Sequence, residues 1–121
     1  MAAEYVKRTT RFVHFEMREV KPGRIEFNKR HPGAHRVLLD PAGRMMTSNE
    51  FAGFLSRAEM AGRDLLFLVG GADGLPDEWR RPGDTLLSLS PMTLPHELAR
   101  AVLAEQIYRA FTILRGHPYP R

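Results

Sequence analysis

The chain is 121 residues long, enough for one domain with a single core, and its hydrophobic fraction of 43% and charged fraction of 26% are ordinary for a globular protein. It contains no cysteine, which excludes a disulfide, a thiolate nucleophile and a cysteine-based zinc site, and no apolar run approaches the ~18 residues that a membrane span needs. The formal charge of +4 is uneven: residues 1–36 hold nine Lys/Arg against four Asp/Glu, and residues 37–121 hold nine against ten. A basic segment on a nearly neutral remainder points to a polyanion partner, RNA or DNA, beside the plainer reading of a solvated basic face. The first residues lack the apolar stretch of a signal peptide, and a cytoplasmic location is the expectation.

Residues 2–8 read as the last turns of a helix. Residues 12–20 read as a strand, with Val13, Phe15, Met17 and Glu19 on one face and Phe12, His14, Glu16, Arg18 and Val20 on the other. Both faces are of mixed polarity, so it is expected at a sheet edge. Residues 21–36 (KPGRIEFNKRHPGAHR) hold two Pro-Gly pairs and five Lys/Arg and read as a loop. Val37-Leu38-Leu39 is a short apolar strand ending at Asp40-Pro41. Residues 48–61 predict a helix with Ser48 as N-cap, Phe51, Phe54, Leu55 and Ala58 on one face, and Gly62 as the stop. Residues 65–69 are continuously apolar, as in a buried parallel strand, and residues 85–89 form another short strand. Residues 98–114 predict a long helix, apolar on more than one side through Leu98, Val102, Leu103, Ile107, Phe111 and Leu114, which favours a homodimer built partly on it.

Strands alternating with helices predict an α/β domain with a mostly parallel sheet. In such sheets ligands sit at the carboxyl ends of strands, which here means the segments after Leu39, Val69 and Leu89. Gly70-Gly71-Ala72-Asp73-Gly74 lets the backbone turn sharply and a ligand approach the main chain. It is neither a phosphate-binding Walker loop nor a G-x-G-x-x-G fingerprint, and alone it reads equally as a strand-to-helix turn. Ser90-Pro91-Met92-Thr93-Leu94-Pro95-His96 is stiffened by two prolines and leads into the long helix. It offers hydroxyls and apolar side chains to a flat ring, or simply caps the helix. His96 is a candidate base or phosphate contact. Arg109 is a candidate functional cation or a surface charge, and Tyr108 reads as core. The tail, Arg115-Gly116-His117-Pro118-Tyr119-Pro120-Arg121, offers an aromatic ring and cations for base stacking and phosphate contact. The five histidines show no ligand-like pairing beyond His31/His35 in a loop, so no metal site is expected.

Together these segments resemble the ribosomal RNA large subunit methyltransferase H family. Phe67-Leu68-Val69-Gly70-Gly71-Ala72-Asp73-Gly74-Leu75 resembles its glycine loop, and residues 87–96 (LSLSPMTLPH) resemble its second signature. Glu105-Gln106-Ile107-Tyr108-Arg109-Ala110-Phe111 and His117-Pro118-Tyr119 resemble the third and fourth, in the family's order and spacing. The resemblance implies the α/β knotted fold of the SPOUT methyltransferases, with a C-terminal trefoil knot over a single domain, residues 1–121. It implies S-adenosylmethionine (SAM) as cofactor, a homodimer whose active sites use both subunits, and methylation at N3 of a pseudouridine in the 23S rRNA of the assembled ribosome. The residues it carries over for SAM are Leu39, Gly70, Leu89, Ser90, Pro91, Met92, Thr93 and Leu94, with Gly71 added because it adjoins the same turn. His96, Arg109 and Tyr119 match positions near the RNA and the transferred methyl, and Arg121 is added for its chemistry. The chain departs from the family at both ends. Its start matches only the end of the family's first helix, so the family's N-terminal strand and part of that helix are expected to be missing. The tail reads Pro-Tyr-Pro-Arg where the family usually has His after the Tyr. A non-catalytic RNA- or ribosome-binding protein that keeps the knot is the alternative.

Overall fold

The computed structural model describes residues 1–19, 31–71 and 74–119. Its elements in chain order are α1 (Ala2–Thr9), β1 (His35–Met45), α2 (Ser48–Met60), β2 (Leu65–Leu68), a single 3-10 turn (Asp77–Trp79), β3 (Thr85–Ser88) and α3 (His96–Leu114). The three strands form one parallel sheet in the order β2-β1-β3.

Alternation along β1 sends Val37 and Leu38 to opposite faces, and both are fully buried. Val37 joins Phe51 and Leu55 of α2, Leu87 of β3 and Leu103, Ile107 and Phe111 of α3 in the main core. Leu38 joins Leu68 on the other face, where Leu66, Leu75, Trp79 and Leu86 pack partly buried against them. Burying a side chain of this size contributes about 1.5–3 kcal/mol, so β1 anchors both layers. α3 lies between α1 and α2. That explains its apolar character on several sides: Leu103, Ile107 and Phe111 are buried within the chain, and Leu98 is the large apolar side chain of this helix left exposed.

Several expectations change. Over the described residues 12–19 there is no strand. The backbone turns back on α1, with the Phe12 and Val13 amides donating to the Thr9 carbonyl, and Phe12, Val13 and Phe15 pack against the core instead of pairing with a neighbour. The expected loop at 21–36 falls largely outside the described residues, and its last two positions, His35 and Arg36, already belong to β1. The cap of α2 is Thr47 rather than Ser48. The Thr47 hydroxyl accepts from the Glu50 amide and the Glu50 carboxylate accepts from the Thr47 amide, a reciprocal capping box. Gly62, at φ +65°, ends the helix as expected. β2 is parallel but lies at the sheet edge, and three of its four residues are only half-buried.

β1 does not stop at Asp40. Its register on β3 runs Val37↔Thr85 to Leu39↔Leu87, then resumes at Arg44↔Leu87 and Met45↔Ser88, so residues 40–43 bulge out of the ladder. Gly43 makes the return possible: a Cβ there would sit 2.7 Å from the Leu86 carbonyl carbon. Arg36, at the start of β1, is buried, pairs with Asp84 at 3.5 Å and donates to the Trp79 carbonyl, pinning the segment before β3 to the sheet.

Candidate functional site

The carboxyl ends of the three strands converge on a cleft of about 350 Å³. The β1 bulge brings Leu39, Asp40 and Pro41 to it, the segment after β2 brings Val69, Gly70, Gly71, Gly74 and Leu75, and the segment after β3 brings Leu89, Ser90, Met92, Thr93 and Leu94. Asp77, Arg80 and Ala99 complete the lining. This volume falls within the roughly 300–1,000 Å³ of small-molecule sites.

Each wall has a local cause. Gly70 has no room for a side chain, because a Cβ would lie 2.6 Å from the Gly74 carbonyl carbon and 2.7 Å from the Leu75 amide nitrogen. The Gly74 amide closes the turn on the Gly71 carbonyl at 3.0 Å, and Gly74 sits at φ +75°, a conformation that favours glycine. Gly71 is different: a Cβ there meets nothing within 4 Å. In the third wall the Ser88 hydroxyl donates to the Ser90 carbonyl at 2.9 Å and the Met92 amide donates to the Ser90 hydroxyl at 3.0 Å, which fixes the loop before Pro95 opens α3. Met92 is three-quarters exposed, an apolar side chain at the rim with nothing covering it.

Leu39, Gly70, Gly71, Leu89, Ser90, Met92, Thr93 and Leu94 therefore share one cleft, whereas Pro91 does not line it. His96 is the exposed first residue of α3 and does not line it either. Arg109 and Tyr119 lie together in a second cluster. Arg109 Nε and Nη2 donate to Glu105 Oε2 at 3.0 and 2.7 Å, and the Tyr119 hydroxyl donates to the same oxygen at 3.0 Å. The Arg109 guanidinium lies 4.7 Å over the Tyr119 ring, and that ring packs edge-on against Tyr108 at 4.9 Å. Burial, then the hydrogen bond to Glu105, pushes the Tyr119 phenol above its ordinary value, so it stays a neutral donor. The Glu105 hydrogen bond likewise raises Arg109 and keeps it a cation. His96 and Arg109 are separated by roughly 20 Å along α3, at 1.5 Å per residue. Arg121 lies outside the described residues.

The sequence reading missed Asp40, Arg80 and Glu105. Asp40 directly follows the predicted strand Val37-Leu38-Leu39, and Glu105 stands four residues before Arg109, the spacing of a helical ion pair. Arg80 lies in a stretch without periodic signal.

A family model described as "Predicted SPOUT methyltransferase" matches residues 1–120. A protein of Solibacter usitatus named ribosomal RNA large subunit methyltransferase H is 55% identical over the whole chain and 87% of its own length. The chain belongs to this family of SPOUT methyltransferases. Proteins of the same name from Nitrosomonas eutropha and Chromobacterium violaceum are 49% and 41% identical, over 74% and 98% of this chain and 58% and 86% of their own lengths. The small α/β domain with its three-stranded parallel sheet agrees with that membership. No helix among the described residues is long and apolar enough to cross a membrane, and no group of three or more His, Asp or Glu among them could hold a metal ion.

Proposed function

We propose that the chain transfers a methyl group from SAM to N3 of a pseudouridine in the 23S rRNA of the assembled ribosome, as a homodimer in which each active site draws on both subunits. The observation that carries this reading is the cleft at the carboxyl ends of the strands. Its residues fit the cofactor chemically: Leu39, Val69, Leu75, Leu89 and Leu94 offer apolar walls to an adenine ring, the glycine turn brings main chain to the surface, and Ser90 and Thr93 bring hydroxyls. Bound there, SAM would supply a methyl group already activated by its positive sulfur.

What remains for the protein is orientation, which can supply roughly 7–11 kcal/mol of a barrier, and help with the N3 proton. A guanidinium beside the imide favours its deprotonated form, a role that Arg109 suits. Within one chain Arg109 stands thirteen residues along α3 from His96, and neither Arg109 nor Tyr119 lines the cleft, which supports a site completed by the second subunit. The basic segment 1–36 suits an rRNA partner. The family resemblance adds a C-terminal trefoil knot, and the first residues, which lack a signal-peptide stretch, fit a cytoplasmic place of work. The test is calorimetric titration with SAM, beside tritiated methyl incorporation into ribosomes lacking the modification. Saturable SAM binding and label on the pseudouridine are expected. A protein that binds ribosomes but neither binds SAM nor labels the rRNA would be a non-catalytic binding protein.

A further inference from the structure

SAM ends in an amino acid whose carboxylate and ammonium lie close to the sulfonium. Apolar walls and a glycine turn answer the adenosine, but they leave those charges uncompensated, and burying a charge without a partner is costly. Among the described residues lining the cleft, three are charged: Asp40, Asp77 and Arg80. They are grouped. Arg80 Nη2 pairs with Asp40 Oδ2 and lies 3.9 Å from Asp77 Oδ1.

The three differ in how firmly they are held. Asp40 is only 19% exposed, and its Oδ1 accepts the Ala42 amide at 2.8 Å within the β1 bulge. Asp77 is 95% exposed, and Arg80, at 43%, reaches from the rim toward the sheet. Asp40 is thus a fixed carboxylate, aimed by the bulge that Gly43 permits, and Arg80 is a cation seated upon it. Among the described residues both ion pairs of Arg80 run through Nη2. A guanidinium carries five N–H donors in a planar fork suited to a carboxylate. An exposed ion pair contributes little to stability, typically about 0–1 kcal/mol, so folding alone is a weak reason for this arrangement at the mouth of a ligand cleft.

We propose that Arg80 receives the carboxylate of the methionine end of SAM, and that Asp40 is the positioning residue that holds the guanidinium at the cleft. The assignment rests on the cofactor reading above and adds a specificity-determining cation, which residues 70–75 and 89–95 lack. It predicts a preference for ligands by their carboxylate. The experiment is calorimetric titration of the full chain and of Arg80→Ala with three ligands: SAM, decarboxylated SAM and 5′-methylthioadenosine. Arg80→Ala should bind SAM about tenfold more weakly, while decarboxylated SAM and 5′-methylthioadenosine bind both proteins alike. Asp40→Asn, which keeps an acceptor for the Ala42 amide, should show a smaller loss of the same kind. Circular dichroism and thermal midpoint should stay unchanged for both variants. Equal weakening toward all three ligands, or no weakening toward SAM, overturns the Arg80 assignment while leaving the cofactor reading in place. Failure of the unsubstituted chain to bind any of the three removes both.

Discussion

The cleft at the carboxyl ends of the strands and the Glu105 cluster on α3 are built on opposite principles. The cleft is made of main chain, glycines and apolar walls around open space, with Met92 exposed at its rim and three charged groups at its mouth. The Glu105 cluster is made of side chains already satisfied by one another, with one carboxylate oxygen accepting from both Arg109 and Tyr119. The first is organised to take a ligand. The second is organised to hold a cation and a tail in a fixed relation to a helix. The proposed methyl transfer draws on both, and within one chain the Glu105 cluster does not line the cleft.

That contrast can be broken from either side. Deleting residues 117–121 removes Tyr119 from the cluster and should lower methyl transfer to ribosomes by on the order of 100-fold or more, while calorimetric SAM affinity stays near that of the parent. A truncated protein that methylates at the parent rate would make the tail dispensable. On the cleft side, Gly70→Val drives a branched side chain into the Gly74–Leu75 backbone. The reason differs from the one the sequence suggests, since the collision is with the protein's own chain and not first with a ligand. SAM affinity should fall at least tenfold, about 1.4 kcal/mol, and denaturant unfolding should show a loss of about 1–3 kcal/mol from overpacking. Unchanged values in both measurements would contradict the geometry of the turn.

How much of this was legible beforehand follows from the range of each interaction. The two long helices and the parallel strands are written in local periodicity, and the glycine and proline loops in residues that restrict or free the backbone. The capping box was also present as Thr47-x-x-Glu50, one residue before the assigned cap. The segment 12–19 misled because its alternating apolar residues are anchors: Phe12 stacks near Phe111 and meets His117 edge-on instead of lining a strand. The bulge at 40–43 was hidden because Asp40-Pro41 looks like a strand end, and only the presence of β3 beside Gly43 lets the ladder resume. The Glu105–Arg109 pair has a readable spacing, but the return of Tyr119 onto it is a contact across a turn that no local pattern encodes.

Three smaller effects sharpen the comparison. Glu105→Gln weakens the charged anchor of Arg109 and Tyr119 without touching the cleft, so methyl transfer should fall by about tenfold, or 1.4 kcal/mol, at unchanged SAM affinity. A parallel loss of affinity would mean that the two regions are coupled. Thr47→Ala should change neither function. It removes a cap and should cost about 1 kcal/mol in denaturant unfolding. The backbone hydrogen bond from Thr47, then its side-chain contact, hold the Glu50 carboxyl below its ordinary 4.5. A depressed carboxyl contributes stability above its unfolded value and loses it as pH falls through the folded one. The difference between parent and Glu50→Gln should therefore be full at neutral pH and fade below about pH 4.5. A difference that persists unchanged at pH 2 would contradict the capping role of the charge.

The proposed sharing of each active site between two chains is tested most directly by mixing two disabled proteins. Gly71→Leu adds a side chain at a cleft position where a Cβ meets no neighbour, and should block SAM while leaving the fold intact. Tyr119→Ala should disable the tail while leaving SAM binding intact. Each alone should be nearly inactive in tritiated methyl transfer to ribosomes. Unfolded and refolded together in equal amounts, half the dimers are mixed and each mixed dimer regains one of two sites, so activity should return to about a quarter of the parent's. A mixture that stays as inactive as its two components would contradict an active site built from two subunits.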